Sequence, residues 1–270
     1  MASNARTVDG TDQILARVKR EARGLMPAAT YRRLYETAAR SRGGTFVEIG
    51  TFCGAATIAL ALGAKASGKP TLILTADLLR PGVGMGGGSS AEKIAGLERA
   101  FAAFGVGEMI RFVHGSSSEL VAQAAPESVD LLLLDGGGRL ERDLALLWSR
   151  LAAGCPIVID DISGETHVRR GWRRAVVDQK HRISKLLADR FAEAGLLVRD
   201  GEVEGTGWFR KGRAELSPDE IRLLALPAYH ALIKAEVGAG ELGLGRSLLR
   251  SAARRAPRLA AAFRRIRPAR

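Results

Sequence analysis

From about position 45 onward, short apolar runs alternate with longer segments of helical period. Thr45–Ile49, Thr71–Ala76, Met109–His114, Val129–Leu134 and Pro156–Ile159 read as strands, each followed by a helical or turn segment. Val129–Leu134 is apolar enough to be buried on both faces. Leu196–Arg199 and Gly207–Arg210 read as a terminal pair of strands, and Gly171–Ala194 as largely helical. Ahead of this pattern, Asp12–Arg23 and Ala28–Arg40 have helical periodicity. In the second, Tyr31, Leu34, Tyr35, Ala38 and Ala39 mark one face, Pro27 suits a first turn and Arg42-Gly43-Gly44 a stop. Gly82–Ser90, with five glycines and two serines, reads as a mobile loop.

Strands alternating with helices predict a doubly wound, mostly parallel seven-stranded sheet with helices on both faces. The expected organisation is an N-terminal helical segment over 1–42, the α/β domain over 43–213, and a helical extension over 214–270. In that extension Ser217 and Glu220 form a capping-box pattern, and Gly238–Gly245 reads as a hinge.

Charge divides the chain unevenly. Of the formal +12, nine charges belong to Arg246–Arg270, which has no lysine and no acid, leaving +3 for the other 245 residues. The body is therefore close to neutral, which disfavours nucleic acid as its partner. If 246–270 were one helix, Leu248, Ala252, Ala256, Leu259, Phe263 and Ile266 would share a face opposite the arginines, although Pro257 favours two short helices. That pattern suits an anionic membrane surface or an acidic partner. No apolar run reaches the ~18 residues of a membrane span, and the N-terminus does not look like a secretory signal. Two cysteines make no disulfide framework. A cytoplasmic chain with peripheral membrane contact at its tail is the expectation. The Ala/Arg/Gly-rich composition is associated with GC-rich bacterial genomes.

In open sheets of this kind ligands bind at the carboxyl ends of the strands. Those ends hold Glu48 to Gly54, Asp77, Gly115-Ser116, Asp135 and Asp160-Asp161. Gly50 allows a tight turn after the first strand, and Gly54 lets the next helix begin close to a ligand. Its N-terminal N–H groups would favour a ligand carboxylate. Glu48 would suit an ammonium, and Asp77, 23 residues past Gly54, both hydroxyls of a ribose. Together they fit an amino-acid-bearing nucleoside. A nicotinamide site would want G-x-G-x-x-G, and the middle position here is Phe52.

The run Val47-Glu48-Ile49-Gly50-Thr51-Phe52-Cys53-Gly54-Ala55-Ala56-Thr57 resembles motif I of class I methyltransferases that use S-adenosylmethionine (SAM). It is most similar to small-molecule O-methyltransferases of the caffeoyl-CoA and macrocin types. Val129–Asp135 with Gly136 resembles their fourth-strand motif, and Leu151–Ile162 their fifth-strand L-x-x-G-G-x-x-V-x-D-D. The resemblance spans roughly Ala28–Gly212. It implies a Rossmann-like fold, a hydroxyl-bearing small molecule (a sugar or natural product) as acceptor, and, as in many relatives, a homodimer. It places Glu48, Gly50, Thr51 and Gly54 along the methionine part of SAM, Asp77 on the ribose, and Gly115 and Ser116 near the adenine. Asp135 closes the cofactor side of the fourth strand.

Metal-dependent relatives use three carboxylates, whose equivalents are Asp135, Asp160 and Asp161, an all-oxygen set suited to Mg²⁺. The resemblance then implies activity that needs Mg²⁺ and falls sharply in Asp160→Asn. The alternative is that Asp135 and Asp161 only fix loops by capping backbone N–H groups. Adjacent aspartates on a strand face opposite sides, so both reach one ion only if the chain turns at Asp161. Relatives follow the fourth-strand D-G with an acid, or one residue later a histidine, often the base. Here those positions are Gly137 and Gly138, and His167 is the candidate substitute. His114, His181 and His230 read as structural or surface residues. Other readings are a non-catalytic SAM-binding module and a nucleic-acid methyltransferase. The absence of D/N-P-P-aromatic after the fourth strand argues against amino methylation.

Overall fold

A computed structural model describes residues 5–80, 88–124, 127–170 and 175–238. The glycine-rich loop up to Gly87 and the basic tail therefore lie outside the described residues. Two compact units are distinguished, Met1–Leu224 and Ala225–Arg270.

In chain order the first unit holds α1 (Ala5–Glu21), α2 (Ala28–Ala39), β1 (Gly44–Ile49), α3 (Ala55–Ser67), β2 (Thr71–Asp77), α4 (Ser90–Ala103), β3 (Ile110–His114), α5 (Ser117–Ala124) and β4 (Leu131–Leu134). It continues with α6 (Leu140–Leu147), β5 (Pro156–Ile159), β6 (His167–Arg170), β7 (Ala175–Asp178), α7 (Lys180–Glu193), β8 (Leu197–Val203), β9 (Thr206–Lys211) and α8 (Pro218–Leu224). In the second unit, α9 spans Leu226–Gly238.

The main sheet has seven strands in the order β3-β2-β1-β4-β5-β9-β8. β3, β2, β1, β4 and β5 run parallel, and β9 is antiparallel to both its neighbours, β5 and β8. β1 and β4 are central, and β4 is buried at every position, as its uninterrupted leucines require. Strand order reverses between β1 and β4, so the crevice expected for a ligand opens at Ile49 and Leu134. On α2, Tyr31, Leu34 and Ala38 are buried against the core. At the α2–α3 contact a Cβ on Gly63 would come within 2.2 Å of the Tyr35 carbonyl oxygen, so only glycine permits this approach.

Two stretches differ from the periodicity. Among the described residues of Gly171–Ala194, Lys180–Glu193 is helix and Ala175–Asp178 is a strand paired antiparallel with His167–Arg170. The β-branched pair Val176-Val177 favours extended backbone locally, and the hairpin satisfies it. The helix expected over Ser217–Ala235 is divided at Ala225, two residues before Pro227, whose ring cannot continue a hydrogen-bond ladder.

Ser89 caps α4 in a full capping box: its hydroxyl accepts from the Glu92 amide while the Glu92 carboxylate accepts from the Ser89 amide. Ser89→Ala should cost about 1 kcal/mol, seen as a fall in Tm of roughly 2–4 °C.

Candidate functional site

The turn after β1 uses left-handed backbone three times, at Gly50 (φ 104°), Phe52 (φ 50°) and Gly54 (φ 86°). A Cβ at Gly50 would stand 2.4 Å from the backbone oxygen of Asp135. The exits of β1 and β4 thus meet too closely for any side chain. At Gly54 a Cβ would meet the Phe101 ring of α4 at 2.7 Å. This glycine is demanded by packing on α4 as well as by its φ, a reason that its place in the motif does not reveal.

Glu48 is fully buried at the centre of β1. Its Oε2 accepts hydroxyl hydrogen bonds from Thr57 and Thr75, both at 2.5 Å, and Thr51 bonds to Thr75 at 2.5 Å. Its Oε1 is buried with no partner among the described residues. Burial pushes the Glu48 carboxyl up to about 7, against the pull of the two threonine hydroxyls and with a further push from Asp77. A buried acceptor left unpaired costs about 1–3 kcal/mol, which a donor ligand would recover.

Asp77 sits at the end of β2 and fastens the turn. Its Oδ2 accepts from the Phe52 amide at 2.8 Å and its Oδ1 from the Leu79 amide at 2.7 Å. Gly115 joins the same edge by donating its amide to the Asp77 carbonyl at 2.9 Å. Ser116 caps α5, its amide and hydroxyl both donating to Glu119. A carboxylate therefore stands beside Gly115-Ser116, contributed by Glu119 three residues later. It is held below the usual carboxylate range by those two bonds.

Across the crevice, Asp135, Asp160 and Asp161 bring carboxylate oxygens within 4.8 Å of one another. The condition on the aspartate pair is met by backbone: Asp161 has φ 59°, a left-handed turn that folds its side chain toward that of Asp160. Thr206 of β9 donates to Asp160 Oδ1 at 2.5 Å. The cluster also contains a cation of its own. Lys180 Nζ lies 2.9 Å from Asp135 Oδ1 and 2.6 Å from Asp161 Oδ2. Lys180 is held above the ordinary lysine range because the attraction of the two carboxylates outweighs burial. Burial pushes Asp135 up to about 7, with Asp160 and Asp161 adding to the shift and Lys180 opposing it. Asp160 is raised by burial and by Asp161.

His181 joins the cluster, with Nε2 3.0 Å from Asp161 Oδ1 and Nδ1 3.0 Å from the Ser163 hydroxyl. His167 does not reach the carboxylates. Its ring is tilted against that of His181, centroids 4.1 Å apart, and it stands 3.9 Å from the Glu165 carboxylate. The imidazole at the cluster is thus the one that sequence assigned to structure or surface. Lys180 had no sequence signal. It lay inside a stretch read as largely helical, and the pairing of β6 with β7 brings it back to the carboxyl edge of the sheet.

Residues 47–162 match the family model described as "Methyltransferase domain". Over this segment the chain is similar to methyltransferase domains. The matched segment runs from the strand of Glu48 to the residue after Asp161, so the glycine turn and the carboxylate cluster both fall within it. Similar solved structures include cofactor-bound Rv0187 from MTB, at 17% identity and TM-score 0.55 over 76% of this chain and 91% of that one. The SAH-bound methyltransferase PaMTH1 of Podospora anserina is 15% identical with a TM-score of 0.52 over 78% and 97%. A Staphylococcus aureus protein provisionally described as a caffeoyl-CoA O-methyltransferase is 11% identical, with a TM-score of 0.54 over 74% and 92%. At these identities the likeness is one of fold. A search of curated proteins finds no match. No described helix is long and apolar enough to cross a membrane.

Proposed function

We propose that this chain is a class I methyltransferase that binds SAM and transfers its methyl group to a hydroxyl of a small molecule. The observation that supports this best is Glu48, a fully buried carboxylate beside the glycine turn with one oxygen saturated and the other without a partner. A ligand ammonium is the donor that such an oxygen wants, and an amino-acid-bearing nucleoside supplies one. The residues present fit that ligand.

In this reading Glu48 Oε1 receives the ammonium. The first-turn amides of α3, which have no partner within the helix, receive the carboxylate. Gly50, Thr51 and Gly54 shape the turn that brings backbone close to the ligand. Asp77 holds that turn through the Phe52 amide and keeps lone pairs for ribose hydroxyls. Gly115 and Ser116, with Glu119, border the adenine. SAM, when bound, supplies an electrophilic methyl on a sulfonium that is already a good leaving group. The protein's part is then positioning and handling one proton. The acceptor hydroxyl would lie at the ends of β4 and β5, where Asp135, Asp160 and His181 are the groups able to take its proton. His181 holds Asp161 through Nε2 and Ser163 through Nδ1, so it would take the proton only by exchanging the Ser163 hydroxyl for the acceptor at Nδ1.

Calorimetric titration of the full chain with S-adenosylhomocysteine (SAH) tests the reading. One-to-one, micromolar binding is expected, weakened by at least about tenfold in Asp77→Ala because the turn loses its anchor and the ribose its acceptor. Absence of binding by the wild-type protein would sink the proposal.

A further inference from the structure

We propose that the Lys180 ammonium is the resident cation of the Asp135–Asp160–Asp161 cluster, so that the chain fills with its own side chain the place where a divalent ion would bind. Three carboxylates facing one point need a positive charge. Lys180 Nζ provides it, bridging Asp135 Oδ1 at 2.9 Å and Asp161 Oδ2 at 2.6 Å. The third carboxylate, Asp160, takes the Thr206 hydroxyl as its partner.

The lysine is placed by the fold and is not a loose surface residue that swung inward. It is the first residue of α7, its amide donates to the Asp178 carboxylate at 3.0 Å, and its side chain is only 23% exposed. Gly138, with φ 70°, lies against its stem: a Cβ there would be in ordinary contact with the Lys180 Cγ at 3.5 Å and in tight contact with the Ile183 Cγ2 at 3.3 Å. The loop after β4 thus lacks a side chain where the lysine stem passes.

A divalent ion and this ammonium exclude each other. Mg²⁺ needs oxygens at about 2.0–2.1 Å in near-octahedral array, and the same Asp135 and Asp161 oxygens are already spent on Nζ. An approaching dication would also meet a like charge in a partly buried site. The carboxylate set therefore does not fit a resident divalent metal while Lys180 is in place. The consequence for catalysis, turnover that excess chelator leaves unchanged, rests on the methyl-transfer reading. The cation assignment rests on the cluster alone.

The test is Mn²⁺ binding by the full chain, followed as loss of the free-ion signal in electron paramagnetic resonance. Wild-type protein should take up no stoichiometric Mn²⁺. Lys180→Ala should bind one ion per chain at least about tenfold more tightly than wild type, since the competing charge is gone and three carboxylates remain. That site should vanish in Lys180→Ala combined with Asp160→Asn. If Lys180→Ala does not fold, Lys180→Gln keeps the stem, drops the charge and is measured in the same way. One-to-one Mn²⁺ binding by wild type as tight as by the variant would overturn the proposal, and so would binding by neither. SAH titration of the same samples separates the two ideas, because failure of SAH binding would leave the Mn²⁺ result standing.

Discussion

Gly50→Ala should lower the Tm by roughly 6–12 °C or prevent folding, from a cost of about 3 kcal/mol. Two costs add. An L-residue at φ 104° is strained, and its Cβ would sit 2.4 Å from the Asp135 carbonyl oxygen, which belongs to the backbone at the end of a central strand and cannot move aside. Gly68→Ala is the internal control. Gly68 also has a positive φ, 69°, but nothing lies within 4 Å of its would-be Cβ, so it suffers only the first cost. Thermal unfolding followed by circular dichroism should place Gly50→Ala well below Gly68→Ala. Equal melting temperatures would mean that β1 and β4 do not approach as closely as described.

Glu48→Gln should weaken SAH binding by roughly 10- to 100-fold while leaving the ligand-free protein at least as stable as wild type above pH 7. The binding loss follows from replacing a carboxylate oxygen opposite an ammonium with a neutral amide. The stability effect has the opposite sign. The Glu48 carboxyl is raised to about 7 in the folded protein from an ordinary 4.5. Between those values the folded chain holds a proton that the unfolded chain has released, so the stability due to this group is complete below pH 4.5. It declines as pH rises to about 7, by about 3 kcal/mol in all. The side-chain amide of the variant has no proton to release, so the difference between variant and wild type should grow in the variant's favour across that window. SAH affinity of the wild type should change in the reverse sense, rising with pH through about 7 as Glu48 ionises. Denaturant unfolding and calorimetry at pH 5 and pH 8 measure both. A wild-type stability that does not fall between these pH values, relative to Glu48→Gln, would refute the description of Glu48 as buried and only half satisfied.

Much of the fold is written locally. The run Val47–Gly54 states a strand, a turn and the start of a helix without help from distant residues. Apolarity locates β4, and the positions that end β1, β2, β4 and β5 follow from the same period. Because ligands gather where parallel strands end, Glu48, Asp77, Asp135, Asp160 and Asp161 stand out from sequence pattern alone. The requirement that the chain turn at Asp161 also follows from the two-residue period of a strand.

Other features depend on contacts between residues far apart in sequence, for which local pattern has no symbol. Gly54 is a glycine partly because Phe101 of α4 packs on it. Glu119 completes the β3 edge because α5 turns its first carboxylate back onto Ser116. Lys180 and His181 reach Asp135 and Asp161 only because Ala175–Asp178 pairs with His167–Arg170 and restarts the helix at the sheet's carboxyl edge. Periodicity reads that stretch as largely helical and gives no sign of the strand that places both residues. Near neighbours in the chain were enough to specify the parallel sheet, the glycine turn and the acids that end the strands, since each depends on residues a few positions away. Which cation faces those acids, and which histidine touches them, was settled by tertiary packing, since that is a matter of which distant surfaces bury one another.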